Sequence, residues 1–208
     1  MHEPRDAKPN IIAGKYINDI RKEIFRKSIH LCSALVPSLL MWSKNTVLWA
    51  LCAVLILYCI AEFLRIKGRS VFMISKITEI AARARDGNRF VRGPVTLSLG
   101  ILITGFFFDH HAAAIGIYAL AFGDGFASLS GKLFGVIILP CSSGKTVMGS
   151  LTCFTAIFVS SWAVSGNSFA SLMIAIAGTA IELIPLKDLD NLLIPCILAA
   201  IASGCFGI

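Results

Sequence analysis

Three clusters of charged residues interrupt an otherwise hydrophobic chain, and their spacings suit chemistry on a charged substrate. The first is Glu23-x-x-Arg26-Lys27-x-x-His30. Residues at i, i+3, i+4 and i+7 share one helix face. A guanidinium beside an ammonium suits a polyphosphate or a lipid phosphate. A snorkelling basic collar at a span end accounts for Arg26 and Lys27. It does not account for His30, one turn deeper in an apolar run, which taken alone reads as a satisfied core histidine.

The second cluster opens on Gly123-Asp124-Gly125 and runs to Gly135. Asp124, Ser128, Gly131 and Gly135 fall at i, i+4, i+7 and i+11, again one helix face. The glycines remove side chains there, so a neighbouring helix or a substrate phosphate can approach the backbone. Gly131-x-x-x-Gly135 is also a helix-packing pattern, but packing does not explain a carboxylate in an apolar helix. Charged groups are costly in lipid and persist mainly where they act. Counted from His111, Asp124 lies about 20 Å along a helix, near the headgroup zone. It reads as a magnesium ligand or an ion-pathway residue.

Between these clusters and the third lies SSGKTVMGS, residues 142–150. Gly144-Lys145-Thr146 looks like the end of a P-loop, but the upstream glycine would have to stand at Leu139, and no strand precedes it. What remains is a basic loop with Ser142, Ser143 and Thr146, leading to Gly149-Ser150 at a helix start. Such starts present backbone N–H groups to phosphates. The third cluster runs from Glu182 to Asn191 and includes Asp188 and Asp190. One aspartate could cap a following helix; two, with Asn191 and Glu182, exceed that need. Magnesium takes one or two carboxylates plus phosphate oxygens and water, so Asp190 could share metal ions with Asp124. Glu62-x-x-Arg65 reads as a structural pair, and Asp109-His110-His111 as a turn.

The elements that must position these groups are membrane spans. Of the 208 residues 56% are hydrophobic and 15% charged, which excludes an ordinary soluble domain. Seven spans are expected near 28–42, 46–64, 94–108, 111–135, 147–163, 168–184 and 191–207. The fold class is therefore an all-α polytopic membrane bundle. Residues 1–27 form a cytoplasmic segment and 28–208 a membrane catalytic domain. The fourth span loses apolar character after Phe122, which implies a polar half packed inside the bundle.

Lys and Arg fix the orientation. Seven fall in residues 1–27 and eight in 65–93, with Lys132, Lys145 and Lys187 on the same side and only Lys44 opposite. The amino terminus and all three clusters are thus expected to face the cytoplasm. The net charge of +7 suits anionic lipid headgroups. Without a basic stripe interleaved with aromatics, nucleic acid is not an expected partner. No signal peptide is expected, because the first 20 residues are polar. Seven scattered cysteines read as reduced core residues. Residues 70–86 have the pattern of a short interfacial helix.

Taken together, these residues resemble the polyprenol/diacylglycerol kinase family, the membrane CTP-dependent kinases that include dolichol, phytol and diacylglycerol kinases. The resemblance rests on Arg26-Lys27-x-x-His30, Gly123-Asp124-x-x-Ala127-Ser128-x-x-Gly131-x-x-x-Gly135, Lys145-Thr146-x-x-Gly149-Ser150, and Asp190-Asn191 before a span with Pro195. Gly125 departs from the pattern, where alanine or a small polar residue is usual.

The resemblance implies transfer of the CTP γ-phosphate to a lipid hydroxyl, with key positions at Arg26, Lys27, Asp124 and Gly131. Mg²⁺ would rest on Asp124 and Asp190, and Ser128, Gly131, Lys132, Lys145, Thr146 and Asn191 would surround the nucleotide. Asp124 or Asp188 would orient the attacking hydroxyl. The implied partners are CTP, a membrane lipid and the bilayer, and a homodimer stays open. The neighbouring phosphatidate cytidylyltransferases are similar too, but their arginine- and aspartate-rich signature near the carboxyl terminus is missing here. A transporter or structural membrane protein is the remaining alternative. Its charges should thread to both faces, whereas here the outer face is nearly uncharged.

Overall fold

Local chemistry at the helix ends divides the chain much as hydropathy does. A computed structural model of the protein describes residues 7–69, 90–140, 142 and 144–206. The expected interfacial helix at 70–86, Cys141 and Ser143 lie outside the described residues.

Helix α1 (Ala7–Cys32) passes through a 3₁₀ turn (Ser33–Leu35) into α2 (Val36–Ile66). Ser43 is non-helical (φ −155°, ψ 92°), so α2 breaks there into two arms, at the gap expected between the first two spans. Helix α3 (Gly93–Phe107) starts on Pro94, whose missing N–H costs nothing in a first turn. Asp109 caps α4 (His110–Tyr118), accepting from the N–H of His111 at 2.8 Å and also from that of Ala112. After α4 comes a π-helical turn (Ala119–Asp124), then α5 (Gly125–Phe134).

Thr146 caps α6 (Val147–Ser165) by accepting from Gly149 N at 3.2 Å, and left-handed Gly166 (φ 67°) ends it. Asn167 caps α7 (Ser168–Leu183), which stops before Pro185. Helix α8 (Asp190–Phe206) carries Pro195 inside it. The described residues are thus all-α, apart from a hairpin in which Ile138 and Thr146 pair antiparallel. Gly144 and Lys145 of the basic loop lie towards the tip of this hairpin, which is tied by Leu139 N to Lys145 O at 2.8 Å and Val147 N to Ile137 O at 3.0 Å.

Three stretches are long and apolar enough to cross a membrane: Ile17–Ile66, His110–Phe134 and Val147–Ser165. Gly93–Phe107, Ser168–Leu183 and Asp190–Cys205 are apolar but shorter. The α4–α5 span is the central one. Ala112, Ile117, Ala119 and Leu120 are fully buried against Ile157 of α6, Ile174 of α7 and Leu198 of α8. By contrast α2 turns Trp42, Trp49, Ile56 and Leu57 outward. A surface this apolar along its helices is one that lipid, not water, covers.

Two glycines seat α8 against its neighbours. A Cβ on Gly100 of α3 would collide with the Asn191 carbonyl, and one on Gly116 of α4 with the Pro195 carbonyl. Pro195 has no N–H for the carbonyl four residues back, that of Asn191, so α3 closes on the gap in the α8 ladder. Gly149 does the same for α6, where a Cβ would come within 2.9 Å of the Ala127 carbonyl.

Residues 23–32 belong to α1 without interruption, so the boundary expected at 27/28 falls inside a helix. At the far end Lys44 donates to the Phe106 and Phe108 carbonyls, at 3.3 and 3.4 Å, and covers the end of α3. Glu62 accepts from Arg65 and from Val91 N at 2.8 Å, which ties the end of α2 to the start of α3. The cysteines among the described residues are free thiols.

Candidate active site

The charged clusters of α1, α5, the hairpin and the α7–α8 connection meet at one end of the bundle. They line a cavity of about 440 Å³. That size falls in the range of about 300–1,000 Å³ usual for small-molecule sites. Arg26, Lys27, Lys132, Lys145 and Lys187 bring positive charge to its wall, and Asp124, Glu182 and Asp190 bring carboxylates.

Its floor is a buried ion pair. Lys27 Nζ donates to Asp124 Oδ2 across 97 residues of sequence. Both groups are largely shielded, at 2% and 8% exposure, so neither tolerates the loss of the other. His30 Nδ1 lies 3.2 Å from the same oxygen but is not aligned to donate to it. His30 therefore belongs to the surroundings of Asp124, beyond the core role that its apolar context suggests.

The π turn aims Asp124. A π turn holds more residues per turn than an α-helix and recurs at functional sites. Asp124 is its last residue, so the four-residue face expected at 124–135 is not one continuous α-helical face. The helix also ends at Phe134, and Gly135 is extended (φ −78°, ψ 104°). Gly131 packs instead against Thr146 and Gly149 of the next element, where a Cβ would meet Thr146 Oγ1 at 3.0 Å.

Glu23 organises the upper wall. Its carboxylate accepts from Arg26, from Ser128 and from Lys132 Nζ, the last at 2.7 Å. The first expected cluster thus holds the second through side chains on α1 and α5. Among the described residues no acceptor meets the buried Nε of Arg26. A buried guanidinium N–H with no acceptor invites an anion.

Across the cavity Lys145 Nζ lies 2.8 Å from Glu182 Oε1. Lys187 lies on the rim in a left-handed conformation (φ 59°), rare for a residue with a side chain. The chain signals no such conformation at this position.

The cavity gathers Arg26, Lys27, Asp124, Ser128, Gly131, Lys132, Lys145, Thr146 and Asp190 from the residues expected at the site. It leaves two out. Asn191, expected at the nucleotide, donates to Thr96 Oγ1 at 3.2 Å and to the Gly93 carbonyl at 3.4 Å, fastening α8 to α3. Asp188, expected as a base, is not among the lining residues. Glu182 is the group that the sequence grouped with its neighbours but gave no role. Its position in the apolar α7 carried the same signal as Asp124, a carboxylate where lipid would exclude one.

Among the described residues no cluster of three or more His, Cys, Asp or Glu side chains is placed to hold a metal ion. Two hard carboxylates on one cavity, Asp124 and Asp190, are nonetheless the donor set that magnesium takes when phosphates and water complete its shell.

Comparison with known proteins adds relatives at a distance. The chain is 26% identical over 211 residues to a probable chloroplastic phytol kinase of Triticum aestivum, covering 90% of this chain and 69% of that one. It is 26% identical over 212 residues to probable phytol kinase 1, chloroplastic, of Oryza sativa subsp. japonica, with 90% and 66% covered. A probable chloroplastic phytol kinase of Zea mays is 26% identical over 198 residues, with 85% and 64% covered. The chain thus spans about two thirds of the length of these relatives. No protein-family model and no solved structure matches it.

Proposed function

From a chain distantly related to the phytol kinases, within the polyprenol/phytol kinase family, we propose a membrane lipid kinase that transfers the γ-phosphate of CTP to the hydroxyl of a long-chain lipid alcohol. One observation carries this reading. A single cavity at one end of an apolar bundle collects five cations and three carboxylates, the charge set that a metal-bound triphosphate needs.

Phosphoryl transfer asks a protein for positioning and charge neutralisation more than for covalent chemistry. Arg26, through its unpartnered Nε, and Lys132 and Lys187 present positive charge to the phosphates. Gly131 and Ser128 line the α5 side of the cavity along which the phosphates would lie. Lys27 holds the Asp124 carboxylate in place. Asp124 and Asp190 would hold Mg²⁺, which when bound neutralises charge on the β- and γ-phosphates. The acceptor keeps its tail in the bilayer and brings its hydroxyl in from the side. The Lys and Arg asymmetry favours a cavity that faces the cytoplasm.

Membrane vesicles supplied with phytol and CTP labelled at the γ or the α position test donor chemistry and orientation together. Label is expected in the lipid from the γ position only, and only when nucleotide reaches the cytoplasmic face of sealed vesicles. Lipid labelled from the α position would mean cytidylyl transfer. Labelling through the opposite face would reverse the orientation.

The basic face gives a second measurement. Arg26→Ala is expected to lower kcat/KM roughly ten- to hundredfold, the loss of about 1.5–3 kcal/mol for a hydrogen bond to a charged group. Lys22→Ala, one turn earlier on α1 and exposed, should change it less than about twofold. Equal small losses would reduce the cluster to an orientation signal.

A further inference from the structure

Glu182 is the one cavity carboxylate that the reading above leaves without work. It lies on α7, two residues before the chain turns at Ile184-Pro185, and is 8% exposed. Lys145 holds Oε1 at 2.8 Å, whereas Oε2 is buried and has no hydrogen-bond partner among the described residues. Ser150, in the first turn of α6, is in the same condition: its Oγ is buried and has no hydrogen-bond partner among the described residues, and it lines the same cavity. Buried polar atoms left unmade are costly, and native structures keep few of them.

The two orphans together describe a ligand. A carboxylate oxygen can only accept, and a serine hydroxyl can donate and accept. A phosphate cannot satisfy Glu182, since like charges repel and an ionised phosphate oxygen has no proton to give. An alcohol satisfies both, donating to Glu182 and accepting from Ser150. Cys153, one turn further along α6, is buried and lines no part of the cavity.

We propose that Glu182 takes the proton of the acceptor alcohol and that Ser150 holds that hydroxyl beside it. This rests on the kinase reading. The alcohol oxygen forms a bond to the γ-phosphorus as its proton passes to Glu182 Oε2. The bond from that phosphorus to the β–γ bridging oxygen breaks, and the nucleoside diphosphate leaves with the electron pair. Glu182 then returns the proton to water. Lys145, on Oε1, fixes the carboxylate so that Oε2 meets the hydroxyl. Of the carboxylates expected from the sequence, Asp188 does not line the cavity, and Asp124 is already given to Lys27 and the proposed metal.

The test is steady-state transfer from γ-labelled CTP to phytol in mixed micelles. Glu182→Gln keeps the size of the side chain and an oxygen for Lys145. It is expected to lower kcat at least about a hundredfold, the usual scale for a lost general base, with the nucleotide KM within about threefold. Glu182→Asp should restore part of that loss. Ser150→Ala, which removes one buried atom from a site that needs no repacking, should raise the KM for phytol about five- to tenfold and leave the nucleotide KM unchanged. A Glu182→Gln chain within threefold of wild-type kcat overturns the inference, as does a nucleotide KM that rises in step with the loss. If Glu182→Gln does not fold, an unchanged phytol KM in Ser150→Ala overturns it. A wild-type chain that phosphorylates no long-chain alcohol overturns the kinase reading, and the inference with it.

Discussion

Asp124→Asn is expected to lower lipid phosphorylation by roughly a thousandfold or more per folded molecule. The amide keeps the shape of the side chain and loses the charge that would hold a metal among phosphates. It also strands Lys27, a residue 2% exposed whose ammonium donates to Asp124. Removing one member of a buried pair costs about 3–5 kcal/mol, so the single variant loses stability as well as activity. The two losses separate in the double variant Lys27→Met with Asp124→Asn, which leaves no unpaired charge. Its thermal stability in detergent should recover most of the way to wild type, while its activity should not recover. Near-normal turnover in Asp124→Asn would move the acidic centre elsewhere. Recovery of turnover in the double variant would make the pair purely structural.

The second large effect is on folding. Gly100→Ala with Gly116→Ala is expected to prevent accumulation of folded protein. Each new Cβ meets a backbone carbonyl of α8, at Asn191 and at Pro195, and backbone cannot step aside as a side-chain tip can. Overpacking of one such site costs about 1–3 kcal/mol, and two on the same helix face compound it. Gly204→Ala is the matched control. It lies on α8, the helix they pack against, with nothing within 4 Å of its added carbon, and alanine favours a helix. Melting temperature and yield after detergent extraction decide the comparison. Similar values for the double variant and Gly204→Ala would mean that the helices do not approach as described.

What the sequence made legible follows from the range over which each signal acts. Caps are local: Thr146 and Asp109 lie where their side chains announce helix starts, and Gly166 where it announces a stop. Hydropathy reaches the length of a helix, and it placed breaks at 43–45, 109–110 and 164–167, each within two residues of a break in the backbone. It also marked the fourth span as interior, because polar residues there need protein around them. Charge cost in lipid marked Arg26, Lys27, Asp124 and Lys145, which the fold brings to one cavity.

Partner choice is another matter. Nothing local says that Lys27 pairs with Asp124 while Lys132 takes Glu23, because those pairings depend on how α1 rotates against α5. Asn191 illustrates the converse. Next to two aspartates it looked like part of the site, yet helix phase turns its amide to Thr96 and Gly93. The π turn was invisible for the same reason: composition does not reveal which carbonyl a backbone N–H will choose.

That turn has a consequence for how the central span is built. From Ala119 to Asp124 the helix carries surplus chain, and one residue of surplus swings everything beyond it by about 100°. Above the turn, Ala112, Ile115 and Ile117 point into an apolar interior; Asp124 at its end and Ser128 and Lys132 below it point at charge. The span works like a key whose bow and teeth are cut at different angles on one shaft. Shortening the turn by one residue would leave hydropathy, length class and composition almost untouched and turn the teeth away from the lock. The position of Asp124 is therefore encoded in how many residues precede it, a quantity that no inspection of residue types can read.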